Sequence, residues 1–195
     1  MVIDKLRVIA ASSVLALAFA HPANADTIKS QDGTVQLTLP NGWREGKPPG
    51  PAIKIQAVSS RGALVLVRVV PKEDFRDIKA FAEVSLEHVK KRLPDSEPKT
   101  EDIQINGKPA IRITLEGTQE NGQRRGYVIT CFESDANFVN VMGTASESVF
   151  KSEESTLAEL ANQVKILPAA ATAAPAQTPP PAAPSSKTPT SRSPR

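Results

Sequence analysis

"AIRITLEGTQENGQRRGYVITCFESDANFVNVMG", residues 110–143, decides the fold. Ile111, Ile113 and Leu115 alternate with Arg112, Thr114 and Glu116, the period of two that marks a strand with one face in a core. Asn121-Gly122 then breaks the chain, "GYVITCFES" (Gly126 to Ser134) resumes it, and Asp135-Ala136-Asn137 turns it into "FVNVMG" (Phe138 to Gly143). Upstream, Ile103 and Ile105 lead into Asn106-Gly107, a tight-turn dipeptide. The stretch reads as an antiparallel meander.

Outward from it the period changes twice. Ile78, Phe81, Ala82, Leu86, Val89 and Leu93 fall at helical spacing, predicting an amphipathic helix from about Asp77 to Leu93. Asp74 or Asp77 is its cap, Lys90, Lys91 and Arg92 suit its C-terminal dipole, and Pro94 stops it. Leu157, Leu160, Ala161 and Val164 predict a second helix, with Ser152 as the candidate cap, before the closing "KIL". On the N-terminal side, Val35, Leu37 and Leu39 alternate with Thr34, Gln36 and Thr38, and "AIKIQAV" (52–58) alternates similarly. "ALVLVRVV" (63–70) is almost continuously apolar and reads as a central strand buried on both faces. The expected architecture is α+β: a central antiparallel β-sheet flanked by helices, an α/β/α sandwich. In "LTLPNGWRE" (37–45), Asn41-Gly42 turns the chain and the lone Trp43 is expected to cover the sheet edge or a helix.

The ends are of another kind. Lys5 and Arg7 precede thirteen mostly apolar residues, Val8 to Ala20, and Ala23-Asn24-Ala25 forms an A-x-A site, so residues 1–25 read as a signal peptide. The apolar run is short of the roughly 20 residues of a membrane span, and an uncleaved anchor is the alternative reading. Cleavage after Ala25 leaves a periplasmic or secreted protein with no stable membrane span. Residues 168–195 hold eight of the seventeen prolines and no Val, Ile, Leu or aromatic side chain, which predicts a disordered, partly polyproline tail. The tail is either a solvated stalk or a weak contact for wall, protein or anionic surfaces. The 142 residues between, 26–167, suit one domain. The chain's formal charge is +3, of which the leader carries +1 and the tail +3, so the domain itself is at −1 and has no nucleic-acid footprint.

Chemistry is thin. Cys131 is the sole cysteine, so packing rather than a disulfide must hold an exported domain. Its setting, "YVITCF", predicts a small buried side chain. His21 belongs to the leader and His88 stands alone on the polar side of a helix, so neither a metal pair nor a Ser-His-Asp set can be assembled. There is no nucleophile elbow, P-loop, EF-hand or strand-linked G-x-G-x-x-G. Asp95/Glu97, Glu101/Asp102, Asp135 and Glu153/Glu154 read as solvation and helix-dipole complements. No catalytic, metal or cofactor residues are expected. Arg124 and Arg125, with Arg112 on the neighbouring strand, are the candidates for an anion or partner patch, against the plainer reading of a charged, soluble edge.

The order of elements resembles the PsbP-like (Mog/PsbP) superfamily. Pro40, Gly42 and Trp43 match its early motif, and Asn106-Gly107 with Pro109-Ala110 and the helix from about Ser152 match its later part. The resemblance spans residues 33–167 and is mostly structural. It implies the fold, brings no catalytic residues, and points to a non-catalytic binding or assembly protein of the periplasm or envelope with an unidentified envelope partner. A small-molecule or lipid carrier using the sheet–helix groove is the alternative, and an unrecognised hydrolase a further one.

Overall fold

The computed structural model describes residues 26–168. The signal-peptide and tail expectations fall on segments outside the described residues, save Pro168. In chain order the elements are β1 (Thr27–Lys29), β2 (Val35–Thr38), β3 (Trp43–Gly46), β4 (Ile53–Ser59), β5 (Leu64–Pro71), α1 (Ile78–Lys90), β6 (Lys99–Ile105), β7 (Lys108–Thr118), β8 (Arg124–Glu133), β9 (Asn137–Ser146), α2 (Glu147–Glu159) and β10 (Val164–Ile166). Seven strands form one sheet in the order β3-β4-β5-β9-β8-β7-β6, every neighbour antiparallel. The meander is as the sequence reads. At its first turn Asn106 (φ 51°) and Gly107 (φ 77°) both take positive φ, the pair of values that a two-residue hairpin matched to strand twist demands.

The alternation along β8 divides the interior into two cores. Tyr127, Ile129 and Cys131 enter the core under α1, whereas Val128 and Phe132 enter the core on the opposite face. The cap of α1 is Asp77, whose carboxylate accepts from the Ala80 N–H at 2.9 Å. The helix buries Phe81, Ala82 and Val89, with Leu93 just beyond it, over β7, β8 and β9. Phe75, Phe81 and Phe138 close its first turn, with Phe81 stacked on Phe138 at 5.4 Å. On the opposite face α2 lays Phe150 over Gly126 of β8 and Leu157 over Gly143 of β9. A 3-10 turn, Leu160–Gln163, then delivers the chain to β10.

Four expectations change. The face under α2 is shared with a second sheet, β1-β2-β10, so the sandwich has one helix on one side and a helix plus three short strands on the other. β2 therefore belongs to this small sheet and not to the central one, and Val35, Leu37 and Leu39 are all in its core. The second helix begins six residues early: Ser146 is the N-cap position, and Ser152 lies inside the helix with its hydroxyl donating to the Val149 carbonyl. Phe150, buried against Gly126, draws those residues into the helix. Lastly, β5 is buried on both faces only at its end, where Val70 joins the α1-side core; earlier in the strand Val65 and Val67 are fully buried while Leu64 and Leu66 on the α1 side are half-buried and Arg68 is exposed.

Trp43 opens the edge strand β3, pairs with Ser59 and is 7% exposed, packed with the α2-side core. Gly42, at φ 80°, makes the preceding turn. Native Trp43 fluorescence should therefore be blue-shifted and resistant to acrylamide, and Trp43→Ala should cost about 3–5 kcal/mol in urea unfolding. Red-shifted, freely quenched emission would contradict this placement.

Candidate functional site

Arg112, Arg124 and Arg125 all lie on the β7–β8 pair, and its register keeps them apart. Arg112 pairs with Thr130, six residues along β8 from Arg124, which is about 20 Å at the usual rise of a strand. Arg124 and Arg112 face α2; Arg125, one residue on, alternates to the α1 side. The expected three-arginine patch does not form. Pairing of the strands was anticipated correctly, but a shared patch also required matching positions along them.

Two of the three have structural work. Arg124 pairs with Glu147 at 3.2 Å, in the first turn of α2. The Nη2 of Arg112 donates to the Ala158 carbonyl at 3.2 Å, in the last turn of the same helix, where a cation complements the dipole. Arg112 lines an open cleft of about 390 Å³ with Lys99, Glu101, Thr114, Lys151 and Glu154, and its Nε is buried without a partner among the described residues. The cations of this cleft are accompanied by carboxylates, with Lys99 on Glu101 at 2.7 Å.

Several other polar groups are similarly occupied. Asp32 accepts from Lys54 at 2.6 Å, from the Ser30 and Thr34 hydroxyls at 2.7 Å each, and from the Thr34 N–H at 3.1 Å. These contacts, Lys54 foremost, hold its carboxyl well below the usual carboxylate range. Asp77 is lowered chiefly by the Ala80 N–H, Asp95 by the Thr118 N–H, Glu101 by Lys99 and Asp135 by Lys108. Glu153, which the sequence offered as half of an acidic pair, is 7% exposed and bonded to Arg61 of the β4–β5 turn at 3.2 Å. Nothing in its spacing announced that partner, 92 residues away. His88 is exposed and accepts from Arg92 at 3.1 Å in the tautomer that leaves Nε2 free. Cys131 is fully buried beside Asn140, and burial pushes its thiol up to about 11, so it is neither ionised nor reachable near neutrality. Among the described residues no three of His, Cys, Asp or Glu are grouped as metal ligands.

The interfaces between helices and sheet are packed. Phe150 and Leu157 sit against glycines on one face, and Phe81 stacks on Phe138 on the other. Open space lies instead at the surface, as in a cleft of about 670 Å³ beside β10, with Ile105 and Phe132 as its apolar side and the Lys108–Asp135 pair among its rim residues. Among the described residues no helix is long and apolar enough to cross a membrane.

These lowered carboxyls fix a sign. Asp32 has a folded pKa below its unfolded value of about 3.9, so its contribution to stability is present above that value and is lost as pH falls through the folded one. Melting temperatures measured from pH 6 to 2 should fall with acid, and Asp32→Asn should flatten that fall while lowering stability at pH 6. An unchanged acid limb in the variant would contradict the assignment.

No protein-family model and no curated protein matches the chain. Solved structures do. The solution structure of cyanobacterial PsbP (CyanoP) from Synechocystis sp. PCC 6803 matches 79% of this chain and 99% of its own, at 11% identity and a TM-score of 0.55. LpqN, involved in cell envelope biogenesis of Mycobacterium tuberculosis, matches over 74% of this chain and 91% of its own, at 15% identity and a TM-score of 0.53. A protein from Bacteroides thetaiotaomicron VPI-5482 matches over 74% of this chain and 49% of its own, at 9% identity and a TM-score of 0.53. With the strand order and the two helices on opposite faces of the sheet, these likenesses establish that the chain has a PsbP-like fold.

Proposed function

We propose that this protein is an exported, non-catalytic binding or assembly protein of the bacterial envelope. One observation carries the reading: an export-type leader precedes a domain many of whose ionisable side chains serve as caps, turn anchors and pairwise ion bridges. The carboxyls with shifted pKa values move down, away from neutrality, and the one thiol moves up, so none of them is poised for proton transfer or nucleophilic attack near pH 7. A domain of this size built without a disulfide and with two filled cores is a rigid platform that acts through its surface. LpqN, which shares the fold, is described as acting in envelope biogenesis, and this agrees with the reading. The carrier alternative finds no support in a sheet–helix groove, since both interfaces are occupied by side chains.

The test is made in the protein's own host. The chain should be recovered from the envelope or periplasmic fraction with Asp26 as its first residue, and brief cross-linking of intact cells should convert it to a discrete heavier species. Recovery of the uncleaved chain in the cytosol, or of uncross-linked monomer alone, would contradict the proposal.

A further inference from the structure

The α1 side of the seven-stranded sheet is only half covered. α1 lies over β7, β8 and β9 and its core reaches β5 only at Val70, so among the described residues no helix packs closely on the rest of that face, on β3, β4 and β5. The register makes its surface continuous. Val58 pairs with Leu64 across β4 and β5, Leu66 pairs with Met142 across β5 and β9, and Gln56 lies opposite Leu66. Val58, Leu64, Leu66 and Met142 are all half-buried, as apolar side chains on an open sheet face are. Two exposed cations flank them: Arg44, opposite Val58, and Arg68, opposite Asn140. Glu45, the acidic residue of these strands, alternates to the other side, where it lines a separate cleft with Lys29 and Asp32. Val84 of α1, three residues after Phe81 and so on its β9-side flank, is 49% exposed.

We propose that this half-face is a docking surface for an amphipathic helix of a partner protein, with an apolar stripe toward the sheet and carboxylates along its flanks. The proposal rests on the binding-protein reading above and gives it a surface and a partner chemistry. Width fits first: three strands at about 4.8 Å spacing match a helix about 10–12 Å across, and α1 itself spans three. A second helix beside α1 completes the layer that an apolar sheet face requires.

Charge decides the occupant. The face offers Arg44 and Arg68 with no carboxylate at its own sheet positions. The chain's own outlying segments have the wrong sign, for the leader presents Lys5 and Arg7 and the tail Lys187, Arg192 and Arg195. A second copy docked by the same face would set these arginines against each other. An anionic membrane would gain only about 1 kcal/mol per arginine, and half-buried side chains on a flat sheet do not project into acyl chains. A partner helix with acidic flanks satisfies both the apolar centre and the rim.

The probes are two synthetic helical peptides of about 18 residues, roughly 27 Å long, with the same leucine stripe but Glu or Lys flanks, and vesicles of phosphatidylglycerol. Binding to the mature protein is followed by amide and methyl NMR. The Glu-flanked peptide should shift Val58, Leu64, Leu66 and Met142, and Arg44→Glu with Arg68→Glu should weaken it by about tenfold or more while the Lys-flanked peptide gains affinity. Shifts elsewhere, equal binding of both peptides to both proteins, or binding to vesicles alone would overturn the proposal. The cross-linked species in cells separates the two readings. If it survives unchanged in the double variant, this surface is wrong and the binding reading stands; if the wild-type protein gives none, the binding reading itself fails.

Discussion

Phe150 of α2 lies so close to Gly126 of β8 that a Cβ on that glycine would come within 2.2 Å of the ring. Two turns further on, Leu157 meets Gly143 of β9 in the same way, at 2.7 Å. A seven-stranded sheet without a disulfide has to bury both faces by packing alone, and α2 reaches the sheet only because these two positions have no side chain. The rest of that face follows from this seat. The 3-10 turn after α2 is aimed at β2, β10 pairs there, and the small sheet closes over Val35, Leu37, Phe132 and Val164. Arg112 and Arg124 then grip the last and first turns of the seated helix.

The same economy shapes the surface chemistry. A residue such as Arg112 that reads as an anion binder in isolation is, in the fold, a clamp on a helix end. Glu153 holds the β4–β5 turn through Arg61, and Asp32 ties the β1–β2 turn to Lys54 of β4. With these polar side chains committed to structure, what the domain has left to offer is extended surface, such as the half-buried apolar residues of β4 and β5.

Local signals were legible in the sequence, and long-range ones were not. Asn106-Gly107 and the alternation of Ile111, Ile113 and Leu115 needed no tertiary context, because turn chemistry and strand period are properties of a few consecutive residues. The cap of α1 was legible to within two candidates, Asp74 or Asp77, for the same reason, and the structure has Asp77. The start of α2 was hidden, since "SESVF" has no apolar period until Gly126, twenty-four residues away, supplies the space for Phe150. β1 and β10, three residues each, are too short to show a period at all. "ALVLVRVV" reads as buried on both faces throughout, whereas on the α1 side only Val70 is buried, because apolar content does not report how far a helix reaches across a sheet. The arginine patch failed on register, which alternation alone does not fix over six residues.

The seat of α2 is tested most directly by the urea midpoint of Gly126→Ala. A glycine inside a strand is intrinsically poorer than alanine by roughly 0.5–1 kcal/mol, so a free position would gain stability on substitution. With Phe150 against it, the added methyl must displace the ring, and the midpoint should fall by the equivalent of about 1–3 kcal/mol. An unchanged or raised midpoint would contradict the account.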